Sequence, residues 1–303
     1  MAVEYPITLR KPKWLRAKVP TGSEYHQIEK SLKTKGLHTV CQEAKCPNIG
    51  ECWSQKTATI MILGDTCTRA CKFCNVKTGN PKGFIDQGEI ENSSQMVATM
   101  GLKYIVITSV DRDDLRDHGS AHFAAVVERI NSDHPDTMVE VLIPDFDNNA
   151  VSMDILARSN PFVIAQNIET VKDLTSAVRD PRAGYQKSLD VLKYYKTHYP
   201  HITTKSSLML GLGETRDQIE QTMRDLRASG VSILTMGQYL QPSRRHLKIE
   251  RFYHPDEFQK LKEIAESYGF EFVASGPMIR SSYKASEFMN YLENKRHEKS
   301  KLH

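Results

Sequence analysis

Short runs of β-branched and aliphatic residues recur along the chain, and each is followed by a longer amphipathic or polar stretch. The runs are TATIMIL (57–63), YIVITSV (104–110), VEVLIPD (139–145), FVIAQNI (162–168), SSLMLGL (206–212) and ILTMGQYL (233–240), with FEFVAS (270–275) as a further short strand. Most are nearly continuous in apolar residues, the pattern of parallel strands buried on both faces rather than half-exposed antiparallel ones. Six strands each followed by a helix imply right-handed βα crossovers and one parallel sheet. That sheet is either open and doubly wound or curved into a barrel. In both cases the functional loops lie at the carboxyl ends of the strands.

The intervening helices are legible from their periodicity. Phe123, Val126, Val127 and Ile130 form one stripe, with Ser120 the expected N-cap. Ile219, Met223 and Leu226 form a second, opened by Thr215 and closed by Gly230, where a left-handed cap is expected. Phe258, Leu261, Ile264 and Tyr268 form a third. Residues 1–55 read instead as an irregular extension with one short helix over 22–35. Residues 56–275 form the repeating unit, and 276–303 a C-terminal extension whose tail beyond Tyr291 is frayed.

Composition removes several function classes. Hydrophobic residues make up 39% and charged residues 26% of 303, and mean hydropathy is −0.48, a globular balance. No apolar run approaches the ~20 residues of a membrane span, and the N-terminus lacks the features of a secretory signal. A reducing cytoplasmic location is therefore expected, in which cysteines serve as metal ligands rather than disulfides. Forty-one Lys and Arg against 37 Asp and Glu leave a net charge of only +4, and no basic block interleaved with aromatics appears. Neither a nucleic-acid nor a membrane partner is expected.

The six cysteines fall into two sets of three: Cys41, Cys46 and Cys52 with spacing CX4CX5C, and Cys67, Cys71 and Cys74 with spacing CX3CX2C. The second set directly follows the first strand, at its carboxyl end. Three thiols are one short of a closed structural zinc site. They suit a cubane cluster, in which three cysteines leave the fourth iron open to an exchangeable ligand. A binuclear zinc site, two zinc sites completed by histidines, and unmetallated thiols are the alternatives. Neither set has a histidine at zinc-finger spacing, and only His38 lies within a few residues.

With an aromatic residue before its last cysteine, Cys67-Thr-Arg-Ala-Cys71-Lys-Phe73-Cys74 resembles the cluster loop of the radical S-adenosylmethionine enzymes. The upstream CX4CX5C set and Arg280-Ser281-Ser282-Tyr283 narrow the resemblance to the lipoyl synthase family, over essentially the whole length from Cys41 to Tyr283. CX3CX2C alone indicates only the superfamily; the three elements in this order are far more specific, and argue against a biotin-synthase-like or methylthio-transferring enzyme. The fold implied is α/β, a partial (β/α)6 TIM-like barrel with N- and C-terminal extensions. The implied cofactors are two [4Fe–4S] clusters and S-adenosylmethionine.

The implied reaction inserts two sulfur atoms, at C6 and C8 of an octanoyl chain on a lysine of a lipoyl carrier protein. That carrier is a lipoyl domain or the glycine cleavage H protein, and the electron donor a protein such as flavodoxin or ferredoxin. Nothing acidifies these C–H bonds, so a radical must abstract the hydrogens while the protein orients the cofactors. By resemblance, the cluster on Cys67, Cys71 and Cys74 binds S-adenosylmethionine, whose reductive cleavage yields a 5′-deoxyadenosyl radical. The cluster on Cys41, Cys46 and Cys52 donates sulfur, with Ser282 as its fourth ligand. A hard oxygen is a poor match to cluster iron, which suits a cluster meant to be dismantled.

No protein nucleophile or catalytic acid–base pair is expected. Thr108, Ser109 and Asp111 are candidates for the methionine end of the cofactor, Asn167 and Glu169 for its ribose, and Arg182 and Glu214 for further contacts. Arg179 and Tyr185 are weaker candidates. Gln166 stands where the family often has histidine, and Trp53 reads equally as packing or as cluster shielding.

Overall fold

The computed structural model describes residues 11–16, 29–30, 32, 34, 38–43, 48–54, 59–280, 288 and 291–294. Every expected strand is present. In chain order the strands are β1 (His38–Thr39), β2 (Thr59–Ile62), β3 (Thr66–Cys67), β4 (Lys77–Thr78), β5 (Tyr104–Ser109), β6 (Met138–Leu142), β7 (Val163–Ala165), β8 (Thr203–Leu210), β9 (Ile233–Gln238) and β10 (Phe272–Gly276). The main sheet runs β1-β2-β5-β6-β7-β8-β9-β10, parallel throughout except for the antiparallel edge strand β1. Its end strands β1 and β10 do not pair with each other, so this is a partial barrel.

Register explains the core. Ile60 aligns with Ile107, Ile107 with Val141, and Val141 with Ile164, a continuous aliphatic row across four strands. Under it pack Met96, Phe123, Val127 and Leu156, all buried, from the helices Gly88–Met100, Ser120–Asp133 and Ala150–Arg158. A second cluster packs Ile219, Met223 and Phe258 against Leu208, Leu234 and Met236. The stripes read from the sequence are therefore the faces that bury the sheet.

Helix termini test the capping expectations. Thr215 forms a full capping box with Gln218, and Gly230 takes φ +80 with its N–H donating to the Arg227 carbonyl. Ser120, however, is the first helical residue and its hydroxyl has no hydrogen-bond partner among the described residues. Asp117 supplies the cap instead: its carboxylate accepts from the N–H groups of Gly119 and Ala121 at 3.1 and 2.9 Å. Gly119 turns the chain at φ +83, where a side chain would be strained and its Cβ, 2.4 Å from Leu63 Cδ1, would force that leucine to shift. Most of the helix expected over 22–35 lies outside the described residues; within it Glu29, Lys30, Leu32 and Thr34 are helical.

The amino-terminal ends of the strands enclose Tyr104, Val106, Met138, Val163 and Ile233, closed over by Phe288 and Leu292 from the C-terminal segment. The tail expected to fray past Tyr291 thus begins with a buried residue, because Leu292 has an apolar seat here. Beneath Phe288 lies an ion pair with almost no solvent contact: Lys205 Nζ is 2.8 Å from both carboxylate oxygens of Glu140, and Tyr104 donates its hydroxyl to the same carboxylate. The ammonium sits 4.6 Å from the Phe288 ring centre. Removing one partner strands the other charge, so Lys205→Ala or Glu140→Ala is expected to destabilise the fold by roughly 3–5 kcal/mol. The double replacement Lys205→Met with Glu140→Leu is expected to cost much less. Chemical denaturation of the four proteins checks this, and equal losses in single and double variants would refute it.

Candidate functional site

A cavity of about 550 Å³ opens at the carboxyl ends of the parallel strands. The loop carrying Cys67, Cys71 and Cys74 forms one wall, and its conformation is fixed from several directions. Short parallel pairing of β3 with β4 pins its two ends, Cys67 opposite Thr78. Thr68 N–H donates to the Asp111 carbonyl at 3.0 Å, Lys72 N–H to the Val178 carbonyl at 2.9 Å, and Ala70 N–H to the Asp180 carboxylate at 2.8 Å. His246 Nε2 lies 3.0 Å from the Cys74 carbonyl, and since that oxygen can only accept, this ring nitrogen carries the proton.

Arg69, inside the loop, is almost fully buried and makes bidentate contact with Asp145 at 2.7 and 2.8 Å. It also bonds Asp113 at 2.9 and 3.1 Å and lies 3.2 Å from Asp111. Burial works to lower the pKa of this guanidinium, but the carboxylates outweigh it and the net direction is upward. Arg182 completes the network from outside, reaching Asp180 at 2.9 Å, Asp113 at 3.1 Å and the Thr68 carbonyl at 2.7 Å. Hydrogen bonds from Arg182 hold the Asp180 carboxyl far below its usual range.

All three loop thiols face the cavity. Burial pushes Cys67 up to about 12 and Cys71 up to about 11, with Asp111 adding to the rise at Cys67, and burial also raises Cys74. Backbone N–H groups of Arg69 and Asp180 point at the Cys67 and Cys71 sulfurs at 3.4 and 3.3 Å, an arrangement suited to thiolates bound to a metal. Among the described residues, no three His, Cys, Asp or Glu side chains converge on one point as a single ion requires. A cubane places each thiolate on a different iron, so it does not need that convergence.

Cys52, in the helix Ile49–Ser54, is buried and lines the same cavity. One member of each cysteine set therefore shares a single chamber. Cys41 lies in the helix Val40–Glu43 with its side chain outside the described residues, as are Cys46 and Ser282 entirely. Arg280, two residues before Ser282, lines the cavity. Trp53 is fully buried in the hydrophobic core and, among the described residues, does not line the cavity.

Of the seven residues expected to bind cofactor, five line this chamber: Thr108, Ser109, Asp111, Asn167 and Glu169. Thr108 donates its hydroxyl to the Leu142 carbonyl at 2.8 Å, and Asn167 donates to Glu169 at 3.1 Å. Burial raises the Asp111 carboxyl to about 6, against the pull of Arg69. Burial also raises Glu169, opposed by Arg179 and Asn167. Glu169 holds φ +66, a strained backbone for a residue with a side chain, in an isolated bridge with Leu208. Arg182 and Glu214 lie off the wall. The Glu214 carboxylate accepts from the N–H groups of Gly211 and Leu212 at 2.6 and 2.9 Å, closing its own glycine loop. Tyr185 is likewise off the wall, buried and bonded to Asp225.

Among the described residues, several wall atoms have no hydrogen-bond partner: Ser109 Oγ, Gln166 Oε1 and Arg179 Nε. Unsatisfied buried polar groups of both signs cost free energy unless a ligand completes them. With three soft thiols beside them, they fit a metal cluster together with a zwitterionic, hydroxyl-bearing cofactor. Arg69 and Asp145 are the functional residues that sequence reading missed. They meet across 76 positions, and the only local hint was an arginine placed between two cysteines.

Comparison with known proteins agrees with this chamber. The model of the radical SAM superfamily matches residues 61–226, and that of the N-terminal domain of lipoyl synthase matches residues 4–46. The lipoyl synthase of Marinobacter nauticus is 56% identical over 91% of this chain and 79% of its own length. That of Thermus thermophilus is 52% identical over 92% and 87%, and the mitochondrial lipoyl synthase 1 of Pisum sativum 52% over 92% and 76%. Among solved structures, methylornithine synthase superposes with a TM-score of 0.53 at 10% identity, covering 90% of this chain and 89% of its own. Streptococcus suis SuiB bound to S-adenosylmethionine gives 0.57 at 12% identity, over 80% of this chain and 57% of its own. At such identities the structural likeness carries only the fold, a partial barrel, whereas the sequence relatives carry the family. The chain belongs to the lipoyl synthase family of the radical SAM superfamily.

Proposed function

We propose that this chain inserts two sulfur atoms, at C6 and C8, into an octanoyl group borne on a lysine of a lipoyl carrier protein. The observation that carries this reading is the shared chamber: Cys52 of the first cysteine set opens onto the same cavity as Cys67, Cys71 and Cys74. When bound, S-adenosylmethionine with its [4Fe–4S] cluster supplies the hydrogen-abstracting radical, and the second [4Fe–4S] cluster supplies sulfur.

The chain's own residues hold and orient. Cys67, Cys71 and Cys74 hold the cofactor cluster on a loop clamped by Arg69 and Arg182. Ser109 and Asp111, beside Cys67, receive the amino-acid end of the cofactor, and Asn167 and Glu169 its ribose hydroxyls, with Thr108 shaping the floor between them. Gln166 and Arg179 offer further polar contacts from the same wall. Glu214 serves indirectly, by holding the loop at Gly211 in shape. There a Cβ would come within 2.6 Å of the Arg251 carbonyl. Cys41, Cys46 and Cys52 hold the second cluster, with Ser282 as its oxygen ligand.

In this reading residues 1–55 and 276–303 are extensions that deliver the second cluster's ligands to the barrel of 56–275. The carrier is a lipoyl domain or a glycine cleavage H protein, and the reductant a low-potential protein such as flavodoxin or ferredoxin. The cytoplasm is the expected compartment. Among the described residues, no helix is long and apolar enough to cross a membrane.

Anaerobic reconstitution is expected to load about eight irons per chain, four in each of two cubanes. Given an octanoyl-lysyl peptide, S-adenosylmethionine and a strong reductant, the loaded protein should yield a peptide carrying two added sulfur atoms by mass spectrometry. A colourless zinc protein that leaves the peptide unchanged would refute the reading.

A further inference from the structure

The loop after β9, Gln241–Glu250, carries three cations that the chemistry does not use. Arg244, Arg245 and Lys248 are exposed, and none makes an ion pair with another described residue. Glu250, at its end, is the loop's one carboxylate. Two bonds fix the loop against the cysteine turn: Leu247 N–H donates to the Lys72 carbonyl at 3.3 Å, and His246 Nε2 to the Cys74 carbonyl at 3.0 Å. The first ties the backbone of Lys72, an exposed cation likewise without an ion pair among the described residues, to the residue before Lys248. Gln241 and Pro242, which begin the loop, line the cavity itself, as does Phe73. The cations therefore lie on the loop, and on the cysteine turn it is bonded to, that together border the cavity. Several arginines elsewhere are paired: Arg69, Arg112, Arg182 and Arg251 each meet a carboxylate.

We infer that Arg244, Arg245 and Lys248, with Lys72 on the adjoining cysteine turn, form a docking surface for a carrier protein that presents carboxylates around its acylated lysine. This rests on the functional reading above and adds the surface by which the carrier is recognised. A short acyl-lysyl peptide fills only the cavity, whereas a folded carrier must lay its surface against the rim. Opposed charges there raise the encounter rate and set orientation, and they weaken with salt because exposed charges are screened over about 8–10 Å.

The test is direct binding of an octanoylated lipoyl domain to the reconstituted enzyme at low and high ionic strength, alongside turnover of a short, neutral octanoyl-lysyl peptide. Reversing the three loop charges (R244E, R245E and K248E together) is expected to weaken carrier binding about tenfold or more at low salt. The gap should close at high salt, with peptide turnover, iron content and melting temperature unchanged. The neutral pair R244Q and R245Q, a milder disturbance, should lose affinity by about threefold. Carrier affinity unchanged by the reversal, while the parent enzyme converts the peptide, overturns the docking surface and leaves the functional reading intact. Failure of the parent enzyme on the peptide overturns the functional reading. A reversal that lowers peptide turnover as much as carrier turnover also overturns the inference, since the loop then acts on the site. So does loss of binding to an RNA oligonucleotide with carrier affinity preserved.

Discussion

Replacing Cys67, Cys71 and Cys74 together by alanine should leave about four irons per chain and abolish cleavage of S-adenosylmethionine. Replacing Cys41, Cys46 and Cys52 should also leave about four, with cleavage retained and sulfur insertion lost. The difference follows from where the thiols sit. The first three line the wall that also carries Ser109, Gln166 and Arg179, whose polar atoms without partners among the described residues suit a cofactor. Cys52 reaches the chamber from the helix Ile49–Ser54, on the N-terminal extension. Iron analysis and 5′-deoxyadenosine release from the two triple variants, with circular dichroism to confirm folding, check the expectation. Equal loss of cleavage in both folded variants would contradict the division of labour.

The second large effect concerns Arg69, which lies on the cavity wall and holds Asp111, one of the expected cofactor contacts, at 3.2 Å. Its guanidinium joins Asp145, Asp113 and Asp111 at the heart of the cluster loop, and the Asp145 side chain is wholly buried. Arg69→Met strips the buried Asp145 and Asp111 of their paired cation, leaving only Asp113 bonded to Arg182, at a cost of roughly 3–5 kcal/mol. Arg69→Lys keeps the charge but cannot reproduce the planar two-pronged contact, so an intermediate loss is expected. Because the network sets the course of the loop, Arg69→Met should take up about four irons rather than eight, retaining the second cluster. Thermal melts of the metal-free chain separate stability from metal loading. A variant that melts like the parent and loads about eight irons would show that the clamp has no positioning role.

Much of this was legible in the sequence, and the failures have physical causes. Strands with apolar residues on both faces announced themselves; YIVITSV became Tyr104–Ser109 almost unchanged. The fifth expected strand was placed at 206–212 but spans Thr203–Leu210. Its opening Thr-Thr-Lys looked like solvent, because nothing local shows that Lys205 is neutralised by Glu140 on another strand. For the same reason Arg69 passed unnoticed, its partners lying 44 and 76 residues away. The Thr66–Cys67 pairing with Lys77–Thr78 was invisible, two residues being too short for any periodicity. Cysteine spacing was the most legible feature, since metal ligation demands particular residues at particular separations. Arg182 and Glu214 show the limit of that approach: a charged residue near a site reads the same whether it faces the ligand or braces the loop that does.

The measurement that bears most directly on the two-cluster reading is a single turnover with enzyme whose clusters were reconstituted with a heavy sulfur isotope. An octanoyl-lysyl peptide and S-adenosylmethionine, free of the isotope, are added with reductant under anaerobic conditions, and the peptide product is weighed. The expected product carries heavy sulfur at both positions, because the cluster on Cys41, Cys46 and Cys52 is the source of each atom. Product with light sulfur, or cofactor cleavage with no sulfur inserted at all, would contradict it.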